Sequence, residues 1–357
     1  MNLDKKLTFY KGRRVLVTGD TGFKGSWLSL WLAELGAEVA GVALPPERSE
    51  DHYNVAEIGA MIQHYDQDIR DAEGTERIIA EFQPEIVFHL AAQALVRLSY
   101  RQPRETFETN LMGSVNLLEA VRKVDSVRAV IYVTSDKCYR NKEWEWGYRE
   151  NDELGGRDPY SASKAAAELV LTAYRESFFR ATGRIGAASV RAGNVIGGGD
   201  WSLDRIFPDC IRSLANGKPI RLRNPRAVRP WQHVLEPLSG YLLLGRRLFE
   251  EPQRWSEAWN FGPSNEGQRT VEELAREVIR SWGAGSIEIE PEPNAPHEEK
   301  RLFLNCDKAW GRLEWRPRWD FATAVRKAVE WYRATREGES AGEFSRRQIQ
   351  QYMGGEK

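Results

Sequence analysis

Tyr160 and Lys164 stand four residues apart in Tyr160-Ser161-Ala162-Ser163-Lys164, at the head of a run with helical periodicity. Four residues is close to one helical turn, so the two side chains share a face. A phenol with a reference pKa of about 10 is a poor base at neutral pH. An ammonium beside it stabilises the phenolate, lowers that value and makes Tyr160 a usable base for a hydroxyl proton. The spacing also arises by chance on exposed helices, so its context decides. Nearby, Thr134-Ser135-Asp136-Lys137 ends an apolar, β-branched run. Ser135 can hydrogen-bond a reacting hydroxyl, while Asp136 and Lys137 add an acid and a potential base. Alone, an Asp-Lys pair reads as a solvated loop.

A glycine loop supplies the context. Gly19-Asp20-Thr21-Gly22-Phe23-Lys24-Gly25 lies between the apolar run Arg14 to Thr18 and a helical stretch. Glycines there permit a tight turn and close backbone approach, and the helix N-terminus offers N–H groups to a pyrophosphate. A strand-loop-helix setting makes this GxxGxxG a dinucleotide site rather than a bare glycine cluster. Asp20 puts a carboxylate in that loop, so it must point away or be offset by a neighbour such as Lys24. The second strand ends, Val42 to Pro46, without the acidic residue that usually holds a ribose, and Glu47 and Arg48 follow late. NAD and NADP both stay open on this rule. Asp68 and Ile69, after the third strand, are candidate adenine contacts, and Ala91 and Ala92, after the fourth, complete the cofactor side.

The elements that must carry these groups alternate. Strand-like runs fall at Arg14 to Thr18, Glu38 to Ala43, Ile62 to Tyr65, Glu85 to Leu90, Ala129 to Thr134 and Ile185 to Val190. Helical stretches fall at Trp27 to Leu35, Ala72 to Phe82, Thr106 to Val124 and Pro159 to Arg180. Apolar strands separated by helices predict an α/β fold: a Rossmann-type, doubly wound parallel sheet. Ligands of such sheets bind beyond the carboxyl ends of the strands, where Ser135 to Lys137 would project. After Arg191, Gly, Pro and Arg become frequent and the alternation weakens, which predicts a smaller mixed α/β substrate-binding lobe. The expected division is a dinucleotide domain over 1–190 plus about 232–260, a second lobe over 191–231 and 261–335, and a polar peripheral tail over 336–357. A helix over Val234 to Leu248 is expected to pack back on the main sheet.

Arginine is dense between Arg205 and Arg229. Its planar fork suits bidentate phosphate recognition, so Arg229 is the leading diphosphate ligand. Asn194, Arg205, Leu222, Arg223 and Asn224 are further substrate candidates, as are His297 and Arg301, with Trp231 expected near the ligand. His89, inside an apolar strand, reads as a satisfied core histidine. The bulk numbers exclude other classes. With 357 residues, 41% hydrophobic and 29% charged, the chain can bury a large core. A net charge of −1 gives no electrostatic case for nucleic acid or an acidic membrane. Three scattered cysteines, without CxxC spacing, speak against a disulfide framework or a metal site and for a reducing compartment. No apolar run approaches the roughly 18 residues of a membrane span, and the N-terminus lacks a leader-like apolar stretch. The expectation is a cytoplasmic, soluble enzyme.

Loop, Tyr-Lys pair and strand-end serine together resemble the extended short-chain dehydrogenases that act on nucleotide sugars, over about Arg13 to Tyr332. Within that group Thr134-Ser135-Asp136-Lys137 resembles the nucleoside-diphosphate-glucose 4,6-dehydratases. The dTDP-glucose enzymes have Asp-Glu at the pair; Asp-Lys is similar to the CDP-glucose branch. Gly22-Phe23-Lys24-Gly25, Arg191-Ala192-Gly193-Asn194 and Arg229-Pro230-Trp231-Gln232-His233 also look like that branch, whereas Asp20 replaces the histidine expected there. The resemblance implies NAD as cofactor, CDP-glucose as substrate and a 4-keto-6-deoxy sugar as product. It also implies Tyr160 as base at the C4 hydroxyl, Asp136 as acid at C6, and Lys137 at the place of the C5 base. An amine of reference pKa about 10.4 is mostly protonated at neutral pH. Lys137 therefore either has a lowered pKa or stays charged and stabilises the enolate. An epimerase would need Tyr160 but not the Asp136-Lys137 pair. The resemblance further implies a homodimer or homotetramer, with Thr106 to Val124 and Ala162 to Arg180 as the interface helices.

Overall fold

The computed structural model describes residues 3–264, 268–290 and 301–354. Its centre is a seven-stranded sheet of β1 (Arg14–Thr18), β2 (Glu38–Ala43), β3 (Gln63–Asp66), β4 (Ile86–His89), β5 (Ala129–Val133), β6 (Gly186–Ala192) and β7 (Ala258–Phe261). The strand order is 7-6-5-4-1-2-3, and every pairing is parallel. Each strand's alternate residues enter different cores, because side chains on a pleat point to opposite faces. Val15, Val17, Ile86, Phe88, Ile131 and Val133 face one core, and Leu16, Val87, Val130 and Tyr132 the other. Both faces are apolar, as a sheet covered on both sides requires.

The helices that matter for the site are α1 (Phe23–Glu34), α2 (Ala72–Phe82), α3 (Gly113–Lys123), α4 (Pro159–Tyr174), α5 (Ile206–Ala215), α6 (Leu235–Glu250), α7 (Phe321–Arg336) and α8 (Ala341–Gly354). Local chemistry sets their starts. Asp158 caps α4 by accepting from Ser161 N at 2.9 Å, with Pro159 in the first turn. Asp71 caps α2 through Gly74 N at 3.1 Å.

Two of the expected helices are interrupted. The stretch read as Thr106 to Val124 contains a π-turn at Glu108–Met112 before α3, and α4 passes into another at Arg175–Phe179. The first has a clear use: it presents Asn110, whose side-chain NH2 donates to Gln93 O at 3.0 Å and to Ser163 Oγ on α4 at 2.9 Å. Among the described residues, three short strand pairs lie outside the main sheet: Val195–Ile196 with Gln232–His233, Val228–Pro230 with Gln268–Thr270, and Ile220–Leu222 with Ile287–Ile289.

The polar tail is not peripheral. Its helix α8 buries Ala341, Ser345, Gln348, Ile349 and Tyr352 against the body of the protein. Trp31 Nε1 of α1 donates to Met353 Sδ at 3.4 Å, and Tyr352 OH donates to the buried Glu236 of α6 at 2.6 Å. The buried stripe is spaced for a helix face but sets Ile349 and Tyr352 among small and amide residues, within a segment rich in charged and amide side chains that composition alone reads as surface.

Candidate active site

The carboxyl ends of β1 to β6 open into one cleft of about 1070 Å³. Its walls include Gly19, Thr21 to Gly25, Asp68, Ile69, Ala91, Ala92, Ser135 to Lys137, Tyr160, Lys164, Asn194, Arg205, Arg223, Asn224, Arg229 and Trp231. The two glycine-loop ends fit a dinucleotide backbone for steric reasons. Gly19 has φ +76°, and a Cβ there would lie 2.7 Å from Ala91 N. A Cβ on Gly25 would collide with the Gly19 carbonyl. The loop and the start of α1 can therefore hold a pyrophosphate only with glycine at these points. Thr18 fixes the opposite wall: its hydroxyl accepts from Leu90 N and Ala91 N, both at 3.2 Å, and bonds His89 Nδ1 at 2.7 Å. His89 Nε2 reaches Ser114 Oγ at 2.9 Å. It is a satisfied core histidine, and burial pushes it down to about 3.

Asp20 is not offset by Lys24. Its carboxylate is fully buried beneath the loop and meets His64 Nδ1 of β3 at 2.7 Å, while His64 Nε2 meets Asp66 at 2.9 Å. Burial raises the Asp20 pKa, and the hydrogen bond to Asp20 raises that of His64. Lys24 leaves the other side of the loop, within electrostatic reach of Arg205, Asp136 and Asp200; burial, then Arg205, pulls it down to about 8. Asp68 lines the cleft with its carboxylate held by Arg70 Nη2 at 2.6 Å.

On the catalytic wall, Ser135 ends β5's extension and caps a short turn. Its Oγ accepts from Lys137 N at 3.3 Å and donates to Asp136 Oδ1 at 3.0 Å. Tyr160 N donates to Ser99 Oγ at 3.1 Å. The net shift of the Tyr160 phenol is upward, opposite to the direction expected from Lys164. Burial pushes the phenol up to about 12 and Asp136 adds to this, while its hydrogen bond with Ser135 and the charge of Arg205 act downward. Lys164 Nζ instead points at Val133 O, 3.4 Å away, and is itself drawn down to about 8 by burial and by Lys24.

Behind this wall is a buried ion pair that the motif spacings do not announce. Glu168, one turn beyond Lys164, takes Arg191 Nε and Nη2 at 2.8 Å each, Thr134 Oγ1 at 2.5 Å and Ser189 Oγ at 2.6 Å. It ties α4, the end of β5 and β6 together just behind Ser135.

On the substrate side, Asp200 Oδ2 accepts from Arg205 Nη1 at 2.9 Å, and Asp204 gathers Arg97 at 3.7 Å and Arg223 at 3.4 Å. Asp200, Asp204, Arg97, Tyr100 and Arg157 also line the cleft. The run Gly197-Gly198-Gly199 is the available signal for Asp200 and Asp204 alone. Leu222 does not reach the cleft with its side chain: Ile220 and Leu222 turn inward and Arg221 outward. Arg301 is exposed, stacks on Phe303 at 5.2 Å and lies outside the lining. His297 falls outside the described residues. Among those described, no helix is long and apolar enough to cross a membrane.

A parallel sheet in the order 7-6-5-4-1-2-3, a glycine loop after β1 and a Tyr-Lys helix over the ends of β4 and β5 define a Rossmann-type enzyme of short-chain dehydrogenase architecture. The model of the GDP-mannose 4,6 dehydratase family matches residues 16–328, and the chain belongs to that family. It is 50% identical to the CDP-glucose 4,6-dehydratase of Salmonella typhimurium, over 97% of each chain. Among solved structures it is similar to the dTDP-glucose 4,6-dehydratase of Streptomyces venezuelae with NAD and TYD bound (TM-score 0.78, 25% identity, 91% and 98% of the two chains). It is also similar to the UDP-glucose 4-epimerase of Thermus thermophilus in complex with NAD (TM-score 0.76, 29% identity, 90% and 99%).

Proposed function

We propose that the chain converts CDP-D-glucose to CDP-4-keto-6-deoxy-D-glucose with NAD as its cofactor. The observation that carries this is 50% identity over nearly the whole chain to a CDP-glucose 4,6-dehydratase, together with Asp136-Lys137 at the end of β5 beside Tyr160. Gly19, Thr21, Gly22, Phe23, Lys24, Gly25, Asp68, Ile69, Ala91 and Ala92 would hold NAD, which when bound supplies a hydride acceptor for C4 and a hydride donor for C6. Tyr160 takes the C4 hydroxyl proton, and Ser135, its hydrogen-bond partner, steadies the same oxygen. With the phenol drawn up by burial, Arg205 is a cation of this chain that favours the phenolate. Once C4 is a ketone, the C5 hydrogen is acidic. Lys137 removes it as an amine and, as the resulting ammonium, stabilises the enolate; Asp136 protonates the C6 oxygen that leaves as water, and the proton on Lys137 returns to C5 as hydride reaches C6. Arg229, Arg223, Asn224, Arg205 and Asn194 hold the nucleotide diphosphate.

Exposed Met112 at 51%, Leu169 at 61% and Phe178 at 42% lie on the two segments expected to pair copies of the chain, and support a homodimer through them. Light scattering of the Leu169→Glu variant tests this, with a shift to monomer expected. Three buried free thiols suit a cytoplasmic enzyme.

Purified protein with NAD is given CDP-glucose or dTDP-glucose, and products are followed by mass spectrometry and NMR. Loss of one water with a new C6 methyl from CDP-glucose alone is expected. Turnover of dTDP-glucose instead would overturn the nucleotide, and an isomer of unchanged mass would make the chain an epimerase.

A further inference from the structure

His52 lines the cleft and joins three segments distant in sequence: the first turn of α1, the glycine run before Asp200 and the last helix. It is 1% exposed and stacks on Trp27 of α1, with ring centroids 4.5 Å apart and planes 8° from parallel. Its Nδ1 meets Ser26 Oγ, in the first turn after the glycine loop, at 2.9 Å. Its Nε2 meets Ser345 Oγ, on the last helix, at 3.0 Å. Its backbone N–H donates to Gly199 O at 3.2 Å. Trp27 Nε1 donates to the neighbouring Gly198 O at 2.9 Å. Side chains at Gly198 and Gly199 would run into Trp331 and His52 respectively, so this backbone is clamped between them. One residue later, Asp200 holds Arg205.

The hydrogens can be counted. Ser345 Oγ accepts from Trp331 Nε1 at 2.9 Å and donates its single hydrogen to Ala341 O at 2.7 Å. Toward His52 it can then only accept, which puts the imidazole proton on Nε2. Nδ1 is left as an acceptor and takes the Ser26 hydroxyl, whose competing contact to Phe23 O is longer, at 3.0 Å. The chain Trp331 → Ser345 ← His52 ← Ser26 leaves no donor or acceptor unmatched. Burial holds the imidazole neutral, pushed down to about 3, so the arrangement persists through the physiological range.

We infer that His52 is a positioning residue through which Ser345 of the last helix fixes the first turn of α1, and so sets how tightly the glycine loop holds the dinucleotide. The inference rests on the reading above that NAD binds at that loop. Ser26 N donates to Gly22 O at 2.9 Å, the first helical bond after the loop. Freeing the Ser26 hydroxyl loosens the turn whose amides face the pyrophosphate. The backbone N–H of the same residue anchors Gly199, so the dinucleotide half and the Arg205 half of the cleft share one support.

The test measures NAD affinity by calorimetry on the full chain, beside thermal melting and kcat at saturating NAD and CDP-glucose. Ser345→Ala removes the acceptor for Nε2–H. His52→Asn removes the Ser345 arm while leaving an amide near Ser26. Both are expected to weaken NAD by about 2–10-fold, the range one buried hydrogen bond supports, with kcat at saturation within about twofold. Tyr352→Phe serves as the control for mere loosening of the same helix, since it cuts the bond to Glu236 without touching His52. It is expected to lower the melting temperature and leave NAD affinity unchanged. The inference is overturned if Ser345→Ala binds NAD as the parent does, or if Tyr352→Phe weakens NAD equally. A parent chain that binds no NAD at all would overturn the functional reading, and this inference with it.

Discussion

Glu168 and Arg191 offer the sharpest test of how the catalytic wall is held. Both side chains are 3% exposed, and Glu168 accepts four hydrogen bonds. Glu168→Ala leaves the guanidinium buried with only Tyr139 OH at 2.6 Å and Glu150 O at 3.0 Å. Thr134 and Ser189 also lose their shared acceptor. Removing one partner of a buried pair costs about 3–5 kcal/mol, a large part of the roughly 5–15 kcal/mol that holds a typical domain. Replacing both, Glu168→Leu with Arg191→Met, removes the uncompensated charge as well, so the double variant should be more stable than the sum of the singles. A coupling of about 2 kcal/mol or more is expected for groups in direct contact. Urea unfolding of the parent, Glu168→Leu, Arg191→Met and the double measures it at constant m. A coupling under about 0.5 kcal/mol, or Glu168→Ala costing less than about 1 kcal/mol, would refute the account of this pair as the wall's anchor.

Tyr160→Phe removes the base at C4, and kcat should drop by about 10²–10⁴-fold while NAD binding, read by calorimetry, survives; retained turnover would move the base elsewhere. Gly25→Ala places a methyl against the Gly19 carbonyl, so the variant should fold but lose NAD binding, and normal affinity would sink the steric argument. The His64 pKa is raised by its bond to Asp20, so its contribution to stability is full below about pH 6.5 and is lost as pH rises through the folded value. Melting temperatures of the parent should therefore fall with pH above about 6.5, and those of His64→Gln should be flatter; identical slopes would exclude the pair as their source.

Much of the fold is legible in the order of residues alone. β1, β2, β4, β5 and β6 announce themselves because both faces are buried and each reads as a largely apolar run, whereas β3 (Gln63–Asp66) is polar and partly exposed and β7 (Ala258–Phe261) carries no β-branched residue. The Tyr160-Lys164 and glycine-loop spacings are local, so short windows contain them. What stays hidden depends on strands distant in sequence becoming neighbours. Asp20 meets His64 only because β3 lies beyond β2 at the edge of the sheet, and nothing within either window hints at it. Spacing puts Lys164 on the face of Tyr160, but its hydrogen bond to the carbonyl of Val133, a residue of β5, cannot be read from that window. Leu222 follows the same lesson: strand alternation, not motif membership, decides which side chain enters a cleft.

Synthesis order gives the last helix a cost in time. Trp31 Nε1 and its partner Met353 Sδ lie 322 positions apart, and Trp31 also packs edge-on against Tyr352. At about 5–20 residues per second, roughly 15–65 s separate the translation of the tryptophan from that of its cover. For that interval, during which β2 to β7 are themselves being made, the face of α1 that α8 will cover keeps apolar surface open to other chains. Ribosome-bound chains that stop before Ala341 should therefore recruit holding chaperones more strongly than chains extended past Gly354, whose first helix can be closed by the last.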